Sequence, residues 1–147
     1  MIITFCGHRH VSERAEIEKK LFETLKRLAD REKNLVFYCG GYGSFDGICS
    51  SSIDKLRKNS LCHIEKLFVT PYITQSYADK NESMKKFFDD IIYPPLEDVP
   101  YKLAIIKRNE WMVKNADLVI AYVRMSIGGA ARTLLYAEKL GKQTIIL

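Results

Sequence analysis

The strongest constraint on the fold is an alternation. Short, almost continuous apolar runs rich in β-branched and aromatic residues are separated by stretches with apolar residues at helical spacing. The runs are Ile2–Cys6, Leu35–Cys39, Lys66–Thr70, Leu118–Tyr122 and Thr144–Leu147. Strands that read as unbroken apolar runs are buried on both faces, and strand–helix alternation builds parallel sheets with helices on either side. Right-handed crossovers then predict a doubly wound, Rossmann-like α/β domain spanning residues 1–147, with five parallel strands in the order 3-2-1-4-5.

The helices between these runs carry their own signals. Ser12 reads as an N-cap, with Glu13 and Glu16 in the first turn and Ile17, Leu21, Leu25 and Leu28 on one face. A second helix is predicted over Ser44–Lys58 and a third over Tyr101–Asn115. A fourth runs to about Leu140, where Gly141 stands in a C-cap position. Pro71–Pro100 is expected to be irregular, with a helical piece near Glu82–Phe88. Tyr72, Tyr77 and Tyr93 in this stretch suggest a lid or a homodimer surface.

Composition narrows the function classes. The 147-residue chain carries a net charge of +5, but its lysines and arginines are scattered along helical stretches, and no basic block forms. Nucleic acid is therefore an allowed but not a favoured partner. Cys6, Cys39, Cys49 and Cys62 form no C-x-x-C pair and read as reduced thiols, Cys6 and Cys39 within apolar runs. No cationic leader precedes the first apolar run, and no run has membrane-spanning length, so the expected address is cytoplasmic, without a membrane partner. No metal-ligand spacing occurs, and neither metal nor cofactor is expected.

In an open parallel sheet, ligands bind beyond the carboxyl ends of the strands at the point where strand order reverses. Three loops with unusual residues fall there. Gly7-His8-Arg9 leaves the first strand. The glycine permits close backbone approach, Arg9 can grip a phosphate or carboxylate, and His8 can donate a hydrogen bond or serve as acid or base. Gly40-Gly41-Tyr42-Gly43-Ser44-Phe45-Asp46 runs from a strand end into a helix start, an arrangement that offers amide N–H groups to an anion. It matches neither the dinucleotide fingerprint nor a Walker A loop. Asp46 reads either as a first-turn carboxylate or as an acceptor for a ribose hydroxyl or base. Gly128-Gly129-Ala130-Ala131-Arg132-Thr133 is a second strand–glycine–helix junction.

Arg108 stands out on the third helix. It lies three or four residues from Ala104, Ile105, Trp111 and Met112, so its charge points with an apolar stripe. Such a charge requires a ligand or a salt bridge, for instance to Asp46 or Asp117. Asn109 shares an edge of the same stripe.

Taken together, Gly7-His8-Arg9, Gly40–Asp46, Ile92-Tyr93-Pro94-Pro95-Leu96-Glu97, Lys107–Val113 and Gly128–Thr133 with Tyr136-Ala137 resemble a bacterial branch of the SLOG superfamily, which unites DprA-like, LOG-like and YpsA-like proteins. The resemblance implies a Rossmann-like fold and a nucleotide-type ligand. LOG-type hydrolases carry a Gly-Gly-x-Gly-Thr-x-x-Glu motif. Here Ala131 and Arg132 stand at the third Gly and the Thr, and Leu135 stands at the glutamate. The expected function is therefore ligand binding by Gly7, His8, Arg9, Gly40, Gly41, Gly43, Ser44, Asp46, Arg108, Asn109, Gly128, Gly129 and Thr133. The alternatives are an N-glycoside hydrolase of nucleoside monophosphates using Asp46 and His8, and a binder of single-stranded nucleic acid.

Overall fold

The computed structural model describes residues 1–72 and 74–147; residue 73, in the stretch expected to be irregular, lies outside the described residues. In chain order the elements are β1 (Ile2–Gly7), α1 (Arg14–Ala29), β2 (Asn34–Cys39), α2 (Ser44–Asn59), β3 (His63–Val69), α3 (Gln75–Met84) and β4 (Asp90–Ile92). A short 3-10 turn (Tyr101–Leu103) then leads into α4 (Ala104–Asn115), β5 (Leu118–Tyr122), α5 (Gly129–Lys139) and β6 (Gln143–Ile146).

All the strands pair in parallel, in the order β4-β3-β2-β1-β5-β6. The sheet therefore has six strands, not the five in order 3-2-1-4-5 that the sequence predicts. The additional strand, β4, lies at the outer edge beside β3. A three-residue strand has no periodicity to read, and long-range bonds place it. The Asp89 N–H donates to the Lys66 carbonyl at 2.8 Å, the Asp89 carboxylate accepts the Lys66 N–H at 2.7 Å, and Thr70 N–H donates to the Ile92 carbonyl at 3.0 Å. The helical piece expected near Glu82–Phe88 lies earlier, as α3.

One layer, α1 and α2, covers the larger core, built on Phe5, Leu21, Phe37, Ile53 and Ile120. The other, α4 and α5, closes a smaller cluster of Cys6, Val113, Val119, Ala121 and Ala137. Every residue of β5 is buried, as a central strand between two helical layers requires. Three cysteines are buried and Cys62 is half-buried; all are free thiols. Burial pushes the Cys6 thiol up to about 12, so it stays protonated at neutral pH.

Three local expectations need correction. Ser12 does not cap α1. Glu13 holds the cap position, and the Ser12 hydroxyl instead donates to the Glu13 carboxylate at 2.6 Å, where the Tyr122 hydroxyl also donates at 2.6 Å. The strand-end tyrosine draws in the carboxylate and the serine follows it. Tyr72 is buried rather than a free surface aromatic, stacked between Tyr77 (4.3 Å) and Tyr101 (4.6 Å). Trp111 is half-buried against Tyr38, while Ala104, Arg108, Met112 and Val113 form the buried face of α4. Gly141 does follow the C-cap of α5 with a positive φ of 64°, and its N–H returns to the Glu138 carbonyl.

Candidate functional site

The strand order reverses between β1 and β5, which pair from Ile3↔Leu118 to Gly7↔Tyr122. Beyond their carboxyl ends lies a cavity of about 370 Å³, within the range of about 300–1,000 Å³ typical of small-molecule sites. Gly7, His8 and Arg9 line it from the loop after β1, and Gly40 and Asp46 from the loop after β2 and the first turn of α2. Arg108 and Asn109 line it from α4, and Gly128, Gly129 and Thr133 from the start of α5. Of the residues singled out in the sequence, Gly41, Gly43 and Ser44 do not reach the cavity. They brace the loop behind it. The Ser44 N–H donates to the Arg9 carbonyl at 2.9 Å, and a Cβ on Gly43 would lie 2.9 Å from the Arg9 Cα.

This packing makes the two glycine-led helix starts different. The first amide of α2 is occupied by the Arg9 carbonyl. The start of α5 has no side-chain cap, and its ladder begins only with Arg132 N–H to the Gly128 carbonyl. The preceding amides, with the positive end of the helix dipole, are thus open to an anion at the cavity wall formed by Gly128, Gly129 and Ala130. Gly128, at φ 106°, adopts a backbone shape that a side chain would strain.

Arg108 is 2% exposed and rises from α4 into the same cavity. Its Nη1 donates to the carbonyls of Gly40 (2.9 Å) and Val69 (2.7 Å), and its guanidinium lies 5.4 Å from the Tyr42 ring. The buried Nε has no partner among the described residues. No salt bridge of the kind expected forms. Asp117 instead accepts the Ile2 N–H at 2.7 Å, near the start of β1. Asp46 lies close by without forming an ion pair with it. A Cβ at Gly40 would sit 3.0 Å from Asp46 Oδ2 and 3.2 Å from Arg108 Nη1, so a side chain there would crowd both charged groups. Asp46 Oδ2 accepts the Tyr42 N–H at 2.7 Å. Burial raises the Asp46 carboxyl above its ordinary value, countered in part by that N–H and by Arg108. Burial likewise lowers Arg108, countered chiefly by Asp46. Each charge is thus desolvated and only partly compensated.

His8 has a role the sequence does not reveal. Its Nε2 accepts from the backbone N–H groups of Arg124 (2.8 Å) and Met125 (3.2 Å). A ring nitrogen that accepts cannot also carry a proton, so the imidazole is neutral, with its hydrogen on Nδ1. His8 thus acts through Nε2 as an acceptor that holds the β5–α5 loop. Tyr42, Met125 and Ile127 also line the cavity and were not singled out from the sequence, and Ile105 and Met112 were read only as the apolar stripe beside Arg108. The place of Tyr42 inside the glycine loop and the spacing of Ile105 and Met112 from Arg108 are the signals that could have found them.

No protein-family model matches the chain, and no curated protein matches it. Solved structures do. DNA processing protein A (DprA) from Streptococcus pneumoniae superposes with a TM-score of 0.64 at 15% identity, covering 98% of this chain and 49% of that one. DNA processing protein A from Helicobacter pylori gives 0.65 at 17% identity, with 99% and 64% covered. The structural-genomics target TM1055 gives 0.57 at 16%, with 97% and 71% covered. The likeness shows a shared Rossmann-like α/β fold. The chain spans about half the length of the first of these relatives and under two thirds of the second.

Leu135, which the resemblance sets at the glutamate of the LOG-type motif, does not reach the cavity. Leu135 and Glu138 are exposed on α5 and border a shallow depression outside the cavity, beside Met125 and Leu134. Asp46 is the sole carboxylate lining the cavity among the described residues.

Proposed function

We propose that the cavity binds a nucleotide or nucleotide-derived ligand through a single anionic group. The observation that supports this most directly is Arg108: a buried guanidinium with an unpartnered Nε, in a cavity that an uncapped helix start also lines. A buried cation is stabilised by a bound anion, and phosphate accepts both from guanidinium and from helix-terminal amides. Because the first amide of α2 is already occupied, one helix start serves the anion rather than two. Asp46 and Asn109 then stand where hydroxyl or base polar groups would lie, and Phe5, Ile105 and Met112 supply apolar wall.

The test is a thermal-shift series with AMP, NAD, cyclic nucleotides and inorganic phosphate. A ligand at 100 Kd stabilises by about 2.7 kcal/mol, which raises Tm by roughly 5–11 °C for a chain of this size. If none of them moves Tm at millimolar concentration, the proposal fails.

A second reading is single-stranded nucleic-acid binding, since the Helicobacter pylori relative is described as having a single-stranded DNA binding mode and this chain carries a net charge of +5 with an exposed Arg9 at the cavity rim. It predicts retention of a single strand at low salt that collapses as salt rises. No retention at any salt removes it. N-glycoside hydrolysis finds a carboxylate in Asp46, but its expected acid, His8, is engaged as an acceptor. Absence of free base after incubation with nucleoside monophosphates excludes that activity for those substrates.

A further inference from the structure

The bonds accepted by His8 have a consequence for the cavity. Residues 123–128 connect β5 to α5 and, with Gly129 at the start of α5, supply Met125, Ile127, Gly128 and Gly129 to the cavity wall. Little else secures the first part of this loop. Met125 and Ile127 are 60% and 81% exposed, and their side chains have no place in either core cluster. The Arg124 side chain reaches back to the Leu147 carbonyl (2.8 Å) and lies over the Tyr122 ring at 4.6 Å. The backbone of Arg124 and Met125, however, is fixed by one atom, His8 Nε2.

We infer that His8 is a titratable latch on the ligand cavity: as a neutral ring it fixes the Arg124–Gly129 wall, and its protonation releases that wall and weakens anion binding. The proposal rests on the cavity being the ligand site. A protonated Nε2 would point its own N–H at two N–H donors, so both bonds are lost together. Histidine is the side chain whose charge changes between about pH 5 and 8.

The groups around the ring are known. Tyr122 of β5 meets it edge-on at 5.8 Å. Arg124 belongs to the held loop, and Glu13 at the start of α1 lies 3.8 Å from the Arg124 guanidinium. Asp46 of α2 and Arg108 of α4 share the cavity, and Arg9 and His10 flank it on its own loop. Glu13, whose carboxyl is lowered to about 2 by the Ser12 and Tyr122 hydroxyls, stays ionised across the window. Asp46 is raised by burial, so a control must separate its titration from that of His8. His8→Gln is that control, because the carboxamide oxygen accepts at the place of Nε2 and does not titrate.

The experiment is amide hydrogen exchange by NMR on the full chain between pH 8 and pH 5, corrected for the intrinsic pH dependence of exchange. In the wild type, protection at Arg124 and Met125 should fall by about tenfold or more towards pH 5, and AMP affinity should fall with it. In His8→Gln protection should be flat, and AMP affinity should keep only the pH dependence of its own phosphate, which changes charge near about pH 6. Wild-type protection that does not change with pH overturns the inference, and so does an unchanged pH dependence in His8→Gln. If that variant does not fold, the wild-type ring nitrogen shifts decide: a protonated Nε2 at pH 8 overturns the latch, and an unprotonated one that gains its proton as protection is lost supports it. Silence of AMP at every pH with intact pH-dependent exchange removes the ligand reading and leaves the latch standing.

Discussion

Replacing Arg108 by methionine separates a binding arginine from a structural one, because the two roles predict opposite balances between stability and affinity. The side chain keeps much of its length and apolar stem. What is lost is the guanidinium, with its two hydrogen bonds to the Gly40 and Val69 carbonyls. Hydrogen bonds to charged groups contribute about 1.5–3 kcal/mol each, so roughly 3–6 kcal/mol is at stake. Against this stands the desolvation of a 2%-exposed cation whose Nε has no acceptor, a cost of several kcal/mol. The terms nearly cancel, and the ligand-free protein should change by no more than about 2 kcal/mol, a Tm shift below roughly 8 °C. Nothing cancels in the complex. A buried charge removed from its ionic partner costs about 2–5 kcal/mol, so AMP should bind at least ~30-fold more weakly. Circular-dichroism melts and calorimetric titration of the two proteins measure both quantities. A folded variant whose AMP affinity stays within threefold of wild type would refute the argument, as would a melt lowered by 15 °C or more with affinity retained.

Other outcomes follow from single contacts. Gly7→Ala would place a Cβ 2.1 Å from the Phe45 ring, which itself stacks on Tyr122. Overpacking of this kind costs about 1–3 kcal/mol, and an unchanged Tm would show that Phe45 is not confined. The raised Asp46 carboxyl means that its contribution to stability is fully present below its unfolded value and is lost as pH rises through the folded one. Asp46→Asn should therefore melt higher than wild type at pH 7, with the gain narrowing towards pH 3; a gain that grows on acidification contradicts the sign. Glu13 runs the other way. Its carboxyl is lowered to about 2, so its stabilising effect is present above the ordinary carboxylate range and fades as pH falls towards 2. Carboxyl NMR titration should show its midpoint well below those of the other glutamates, and an ordinary midpoint would mean that the Tyr122 bond is absent in solution.

The central part of the sheet was legible because it is written in local pattern. Runs such as Leu118–Tyr122 are apolar at every position since helices cover both their faces. The direction of Arg108 was legible for the same reason, from its spacing to Ala104 and Met112 on one helix face. Long-range partners were not legible. β4 is a strand because Asp89 meets Lys66 across 23 residues of sequence, and no local signal marks that meeting. Ser12 looked like a cap, but Glu13 is drawn to Tyr122, 109 residues away. The two glycine-led helix starts look alike as sequences. They differ because the Arg9 carbonyl closes one, and only the packing of β1 beside α2 shows which. His8 carried a plausible chemistry from its residue type, whereas its hydrogen-bond role depends on which backbone faces it.

Asp46 and Arg108 both crowd the empty side-chain position of Gly40 without forming an ion pair, and this gives the cavity a direction. Had the two met, they would have neutralised each other and left the cavity without an electric sense. Left unpaired, they present a guanidinium and a carboxyl group side by side at the cavity wall, with the start of α5 nearby. A molecule with an anion at one end and hydroxyl or amino donors at the other has a single favourable way to lie in it, since the reversed pose sets anion against carboxylate. On the proposed binding reading, the bare backbone at Gly40 thus bears on how a guest would lie rather than on what it is.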